Sequence, residues 1–413
     1  MRKSKLQTRT ASTAWVLEFP LLLSLIPALV SDSIFSYRIA GLPTGYCIMF
    51  VLTSLILLKN KSHQININKY VILILSTCLL VVLPFYVTIK PVAHLLSSIL
   101  IVFNLYFFWA SFNLGSKVEY LFQPYFFKRA WRIILLCLLS YFFIEQIFKS
   151  TSFPNIFPFF FYRSAQGSFL IALLSIAIFE VVQGRRSQSV KLTIFLLIIA
   201  IIILGSRTTF ISAFLLISFS FLNSTRGFKI FLLFISFLLL FSYLIPDFID
   251  RIQKISEVSR LITLDLNAAK SDGASLYRII FWTGSFEIIK QHWLSGIGFS
   301  VADINYNFPT DLLKLKEFVP RPHNTFLSIF MGGGLLGGVV YFAVLLGPAI
   351  SLLWHTRPLK TGRRPGRGVI VGYIIGSVAV MVTNDVETNP QFLIIFGFTI
   401  GYFKSIYFRK QDF

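Results

Sequence analysis

Charge is scarce in this sequence, and most of it has one sign. Only 13% of the 413 residues are charged, 17 acids against 38 Lys and Arg, while 55% are hydrophobic and 16% aromatic. A chain so poor in charge cannot solvate the surfaces of two or three soluble domains, so it reads as a polytopic membrane protein. Cysteine is rarer still. Cys47, Cys78 and Cys137 lie inside apolar runs, with no CxxC pair and no His nearby, which argues against a disulfide framework or a zinc site and leaves them as packing residues. DxD, HExxH and clustered carboxylates are missing from the loops, so a metal-held phosphate site lacks support and no metal is expected. No Gly-Lys-Ser/Thr follows the glycine-rich stretches, which excludes a P-loop, and no cofactor is expected. The net charge of +21 points away from nucleic acid, because basic residues accumulate in the cytoplasmic loops of membrane proteins.

What is present is hydrophobic runs of spanning length. The basic start MRKSKLQTRT leads into an apolar run to Val30 with no small-residue cleavage site, and reads as an uncleaved first span. Further runs follow at 39–58, 70–89, 92–112, 130–148, 165–183, 190–205, 207–222, 228–246, 324–354, 368–384 and 390–408. The predicted fold is therefore all-α, with about twelve transmembrane helices. The 190–222 stretch is too long for one helix, and a tight turn at Gly205-Ser206-Arg207 divides it into two short spans. With few Ala, the packing faces must come from scattered Gly, Ser and Thr.

Loop charge sets the orientation. With the N-terminus inside, alternate short segments hold 23 Lys and Arg, and the outer turns hold only Arg38, Lys90, Lys149, Arg163 and Arg207. Miscounting one helix would exchange the two sets downstream, so both termini are expected in the cytoplasm. This predicts three regions: helices 1–9 over 1–246, one large periplasmic loop over 247–322 between helices 9 and 10, and helices 10–12 over 323–413. Within the loop, 247–270 has a charged and apolar alternation compatible with a helix. The segment from Leu276, LYRIIFWTGSFEIIKQHW, places Arg278, Trp282, Ser285 and Ile289 on one face and suits a helix lying in the interface.

Four polar groups at the outer face are too specific to pass as decoration: Arg163 in FYRSAQGSF, Arg207 in LGSRTTF, Arg278 in the interfacial helix and His323 in RPHNTF. A single outer arginine commonly snorkels to lipid phosphate, and a single histidine at a helix start is commonly interfacial or a cap. Asn324 can cap that helix, which frees His323 from the task. His63, His94, His292 and His355 read as ordinary structural histidines, with His94 also a second outer candidate, and Glu18, Glu145, Glu180 and Asp385, in or near the ends of spans, read as interfacial, with relay groups the alternative. Behind His323 and Asn324, a charge-free run from Thr325 to Trp354 carries Gly332, Gly333, Gly334, Gly337 and Gly338 near its start, a small-residue face that lets a neighbouring helix or ligand approach the backbone. Several arginines bind phosphate bidentately without a metal, and a histidine takes a proton from a hydroxyl. The pairing fits glycosyl transfer from a lipid diphosphate.

His323-Asn324, nine residues, Gly334, two residues and Gly337 form H-N-x9-G-x-x-G, which resembles the pattern of bacterial O-antigen ligases and related polymerases. Arg278 to Trp282 followed by LSGIGFS, the SRTTF turn and the R-x-x-x-G of Arg163 to Gly167 resemble the same family in the same order. The resemblance implies a metal-independent, inverting glycosyltransferase of the bacterial inner membrane acting at the periplasmic face. Its donor would be an undecaprenyl-diphosphate-linked glycan, its acceptor lipid A-core or another lipid-linked glycan, and its surroundings membrane lipid. Arg207 and Arg278, with Arg163, would hold the diphosphate; His323 would be the base; Arg321, Asn324 and Trp282 would support them. A flippase or other transporter of lipid-linked oligosaccharide is the competing class, but it would show paired halves and midplane polar residues. Here the polar candidates crowd one face.

The charge asymmetry makes the topology testable. A reporter fused after Asp272 should be periplasmic and one after Arg364 cytoplasmic, and the opposite pair of signals would invert the scheme.

Overall fold

A computed structural model describes residues 38–39, 42–43, 84, 88–117, 132–136, 163–184, 187–204, 206–222, 228, 230–232, 234–236, 273–309, 323–356, 366–384, 386 and 390–409. Among the described residues the chain is helical, apart from a two-residue antiparallel ladder of β1 (Arg38–Ile39) and β2 (Leu42–Pro43). The helices are α1 (Pro91–Lys117), α2 (Arg163–Val182), α3 (Gln188–Leu204), α4 (Arg207–Leu222), α5 (Gly273–Gln291), α6 (Val301–Asn307), α7 (Thr325–His355), α8 (Arg367–Thr383) and α9 (Pro390–Arg409). Seven of them, α1 to α4 and α7 to α9, fall on apolar runs read from the sequence, and α5 on the expected interfacial segment.

Two stretches, Pro91–Asn113 and Thr325–His355, are long and apolar enough to cross a membrane by themselves. The helices α3 and α4, of 17 and 16 residues, reach only about 24–26 Å at 1.5 Å per residue. They are separate because Ser206 starts a new helix: its carbonyl accepts from Phe210 N at 3.0 Å and its hydroxyl from Thr209 N at 3.4 Å. The first expected span, those at 39–58, 70–89, 130–148 and 228–246, and the 247–270 helix lie wholly or mostly outside the described residues.

Small residues make the close contacts. A Cβ on Gly372 of α8 would meet the Leu216 backbone of α4, and one turn along Gly376 faces Ser212, whose hydroxyl donates to the Gly376 carbonyl at 2.8 Å. Gly397 and Gly401 of α9 sit against the Phe108 and Phe112 carbonyls of α1, and Gly115 answers from α1 against Phe398. Lacking side chains there, the backbones approach closely and gain dispersion contact that lipid cannot match. Between these pairs lies the main core, with Phe108, Phe179, Phe396 and Phe403 buried. Glu180 is also buried, 3% exposed, and accepts from the Tyr402 hydroxyl at 3.1 Å, which corrects the interfacial reading. Its helix end packs beneath α9, so the carboxylate is satisfied by a protein hydroxyl. Glu18, Glu145 and Asp385 lie outside the described residues.

The glycine run in α7 also departs from expectation. It does not form a continuous small-residue helix face, because Gly334 adopts φ 62° and ψ −167° and breaks the helix. What approaches is the loop after α5. Ile297 N donates to the Met331 carbonyl at 3.0 Å, Gly298 N to Gly332 at 2.9 Å, and Leu335 N to the Trp293 carbonyl at 2.7 Å. A helix break frees backbone groups that would be costly in an apolar interior, and this loop takes them up. Around the seam Ile280, Phe281 and Ile288 of α5 pack with Ile297, Ile304, Phe308 and Met331, each worth roughly 1.5–3 kcal/mol relative to exposure to water.

Gly334→Ala should therefore be severe, since its dihedrals suit glycine alone and a Cβ would run into the Leu294 carbonyl. The expected loss is about 2 kcal/mol or more, read as a lowered thermal midpoint in detergent. Gly347→Ala, where a Cβ meets nothing within 4 Å, is the control; equal melting of the two variants would refute the seam.

Candidate functional site

The site assembles at helix beginnings. Arg163 is the first residue of α2 and Arg207 the first of α4. Four residues into α2, Gly167 abuts Thr209, so closely that a Cβ there would collide with the Thr209 hydroxyl. The R-x-x-x-G and S-R-T-T motifs, 44 positions apart from arginine to arginine, therefore share one contact. The structure describes the backbones of both arginines, and their side chains lie outside what it describes.

A second link leads to the histidine. Thr208, next to Arg207, places its hydroxyl 3.2 Å from that of Thr383 at the end of α8. The next residue, Asn384, offers its carbonyl to both the N–H and the hydroxyl of Thr325, at 3.1 and 2.7 Å. Val386 N closes the bridge by donating to the same hydroxyl at 2.9 Å. Thr325 is the fully buried first residue of α7, and it follows His323 and Asn324. A continuous polar seam thus joins the start of the Arg207 helix to the start of the helix that His323 precedes.

Asn324 is the N-cap: its side-chain oxygen accepts from Phe326 N at 3.0 Å and Leu327 N at 3.2 Å. His323 stands just before this cap. It is exposed and has φ 46°, the one non-glycine residue with positive φ among those described. A left-handed non-glycine costs on the order of 1–2 kcal/mol, so the fold on its C-terminal side must hold it. The buried Asn324 and Thr325 supply that hold.

Arg278 and Trp282, one turn apart on α5, are half-buried. Of the face read from the sequence, Ser285 is buried and Ile289 packs at the edge of the α5 core, so that face is turned partly into the protein. The α5 loop is seated on residues 331–335 and Thr325 on Asn384, which makes 325–333 a short strut between the Arg278 helix and the Arg207 helix. Arg321 lies outside the described residues.

His94 has the ordinary structural role rather than that of an outer candidate. It is buried, its Nδ1 accepts from Phe299 N at 3.1 Å, and its ring stacks on Phe299 at 6.0 Å. Beside it the buried Asp303 carboxylate accepts from Ile89 N at 2.7 Å and Lys90 N at 3.3 Å, capping the start of α1 from another segment, and also accepts from the Ser300 hydroxyl. His94 and Asp303 therefore fasten the α5 loop and α6 to α1. Sequence reasoning missed this node and the Thr208–Thr383–Asn384–Thr325 seam. The Ser300-x-x-Asp303 spacing, a capping pattern, was a signal for the first; hydroxyls flanking Arg207 and His323 were the signal for the second.

Comparison with known proteins bears on the same segment. Residues 192–342 match the family model described as O-antigen ligase. This part of the chain is similar to the O-antigen ligase family. The match runs from the second turn of α3 past the break in α7, and takes in Arg207, Arg278, Trp282, Arg321, His323 and Asn324. Arg163 on one side and the Thr383-Asn384 corner on the other fall outside it. No curated protein matches the chain. The ligase family is one of membrane proteins concerned with surface polysaccharide synthesis, in keeping with the apolar composition.

Replacing Asn324 by Ala should remove the cap and destabilise the protein by about 1 kcal/mol, whereas Asn324→Ser should retain most of it. Comparing the melting of the two variants measures the cap; no difference between them would show that α7 starts without it.

Proposed function

We propose that the protein transfers a glycan from an undecaprenyl-diphosphate-linked donor to a sugar hydroxyl at the periplasmic face. The observation that carries this reading is the seam joining the beginning of the Arg207 helix to the beginning of the His323 helix, within or beside the segment matched to the ligase family. Glycan transfer in surface polysaccharide synthesis follows from that family in general terms. The donor, acceptor and residue roles below are the proposal.

In the reaction the acceptor oxygen attacks the anomeric carbon from the side opposite the diphosphate. The new glycosidic C–O bond forms as the bond to the diphosphate breaks, so the configuration inverts. His323 accepts the acceptor hydroxyl proton, and the diphosphate leaves with the electron pair. Its exposure and the rigid base beneath it suit a group that must meet a large acceptor without moving. Arg207 and Arg278, with Arg163, neutralise charge building on the leaving diphosphate, where guanidinium forks can bind oxygens in pairs. Trp282 and Arg321 have supporting roles in this reading, as does Asn324, which caps the helix that His323 precedes. No step calls for a metal. The acceptor is either lipid A-core, making the protein a ligase, or another lipid-linked glycan, making it a polymerase.

A transporter of lipid-linked oligosaccharide also uses interrupted helices. The interruption at Gly334 is filled by the 293–298 backbone, which favours a rigid site over a substrate passage.

His323→Ala should reach the membrane in normal amount and abolish transfer from purified lipid-diphosphate donor while still binding it. Arg207→Lys should fail nearly as badly as Arg207→Ala, since an ammonium keeps the charge and loses the fork, with a loss on the order of 3 kcal/mol, or about a hundredfold in rate. Chelator or added divalent metal should leave the wild type unchanged. Longer lipid-linked chains among the products identify a polymerase, and glycan on lipid A-core without chain growth identifies a ligase. Substantial turnover by the alanine variant at His323 would remove it from the mechanism.

A further inference from the structure

We infer that Thr325 is a positioning residue, whose hydroxyl holds His323 in register with the Arg207 helix. The inference rests on the proposed role of His323 and adds a residue that the sequence motif does not single out. Thr325 is fully buried, and both its polar groups are directed away from its own helix. Its N–H and hydroxyl donate to the Asn384 carbonyl at 3.1 and 2.7 Å, and the hydroxyl accepts from Val386 N at 2.9 Å. One side chain therefore ties the first turn of α7 to the corner between α8 and α9.

That corner is itself held to the Arg207 side. Thr383 contacts Thr208 hydroxyl to hydroxyl at 3.2 Å, and the Asn384 amide binds back to Val380 O at 3.2 Å and Thr383 Oγ1 at 3.1 Å. Asn324 caps α7 through bonds within that helix, so the cap secures the helix without fixing where it sits. The cross-helix bonds do the placing. His323 stands two residues before Thr325 in a left-handed conformation, and any shift of Thr325 is passed on through one intervening residue. A base must stay within hydrogen-bond reach of the acceptor proton, so a displacement here lowers turnover more than donor binding.

The test compares Thr325→Val, which keeps shape and loses the hydroxyl, with Thr325→Ser, which keeps the hydroxyl, in the full-length membrane protein with purified undecaprenyl-diphosphate-linked donor. Thr325→Val should lower kcat about tenfold or more with the donor KM unchanged, and Thr325→Ser should restore kcat to within about twofold of wild type. Thr383→Val, which cuts the link to Thr208 and leaves the α7 bonds intact, serves if Thr325→Val accumulates poorly, with the same fall in kcat at constant KM. Wild-type kcat in the valine variants, equal loss in valine and serine at position 325, or a parallel rise in KM would each overturn the inference while leaving the role of His323 standing. Full activity of His323→Ala in the same assay would instead bring down both.

Discussion

Everything around the candidate site depends on how one broken helix keeps its backbone satisfied. At Gly334 the chain of α7 leaves helical dihedrals, and Met331, Gly332 and Leu335 turn to the loop after α5 for hydrogen-bond partners. In apolar surroundings an unpaired carbonyl or N–H costs several kcal/mol, so break and loop are mutually obligatory. Glycine at 296 and 334 lets the two backbones come together, and at 332 it makes room for the Phe299 ring. The consequence is a segment, 325–333, fixed at both ends: to the α5 loop at one, to Asn384 at the other.

From that strut the remaining elements take their places. Phe299, on the loop, bonds and stacks with His94, and Asp303 just beyond caps the start of α1, so α1 is registered to the same module. Across the strut, the α8 corner ties α7 to α4, and α4 is drawn against α8 by Gly372 and Gly376 and against α2 by Gly167. Helix starts carrying Arg163, Arg207 and the His323 approach thus gather through these contacts. Packing of small residues and hydroxyl-to-carbonyl bonds supply the placement.

Much of this was legible in the sequence. Apolar runs located α1 to α4 and α7 to α9, because a chain with this little charge has few places to interrupt a helix. Ser206 was readable as a turn, and Asn324 as a cap, since both are local properties of residue type. The interfacial segment located α5. The H-N-x9-G-x-x-G spacing marked Gly334 as special. Its role in breaking the helix was not legible, because a glycine run satisfies helix packing and helix interruption equally until a partner loop is known. Glu180 was misread for a similar reason: proximity to a helix end in sequence does not reveal that another helix covers it.

The sequence by itself determined the helical class, the positions of most described helices, the Asn324 cap and the residue types able to grip phosphate and take a proton. These follow from hydropathy, charge and local backbone preference, which act over a few neighbouring positions. Only the tertiary structure decided that Gly167 touches Thr209, that Thr325 reaches Asn384, and that the α5 loop closes the break in α7. Those contacts join residues separated by tens of positions, where no local pattern specifies the partner and only the simultaneous packing of several helices selects it.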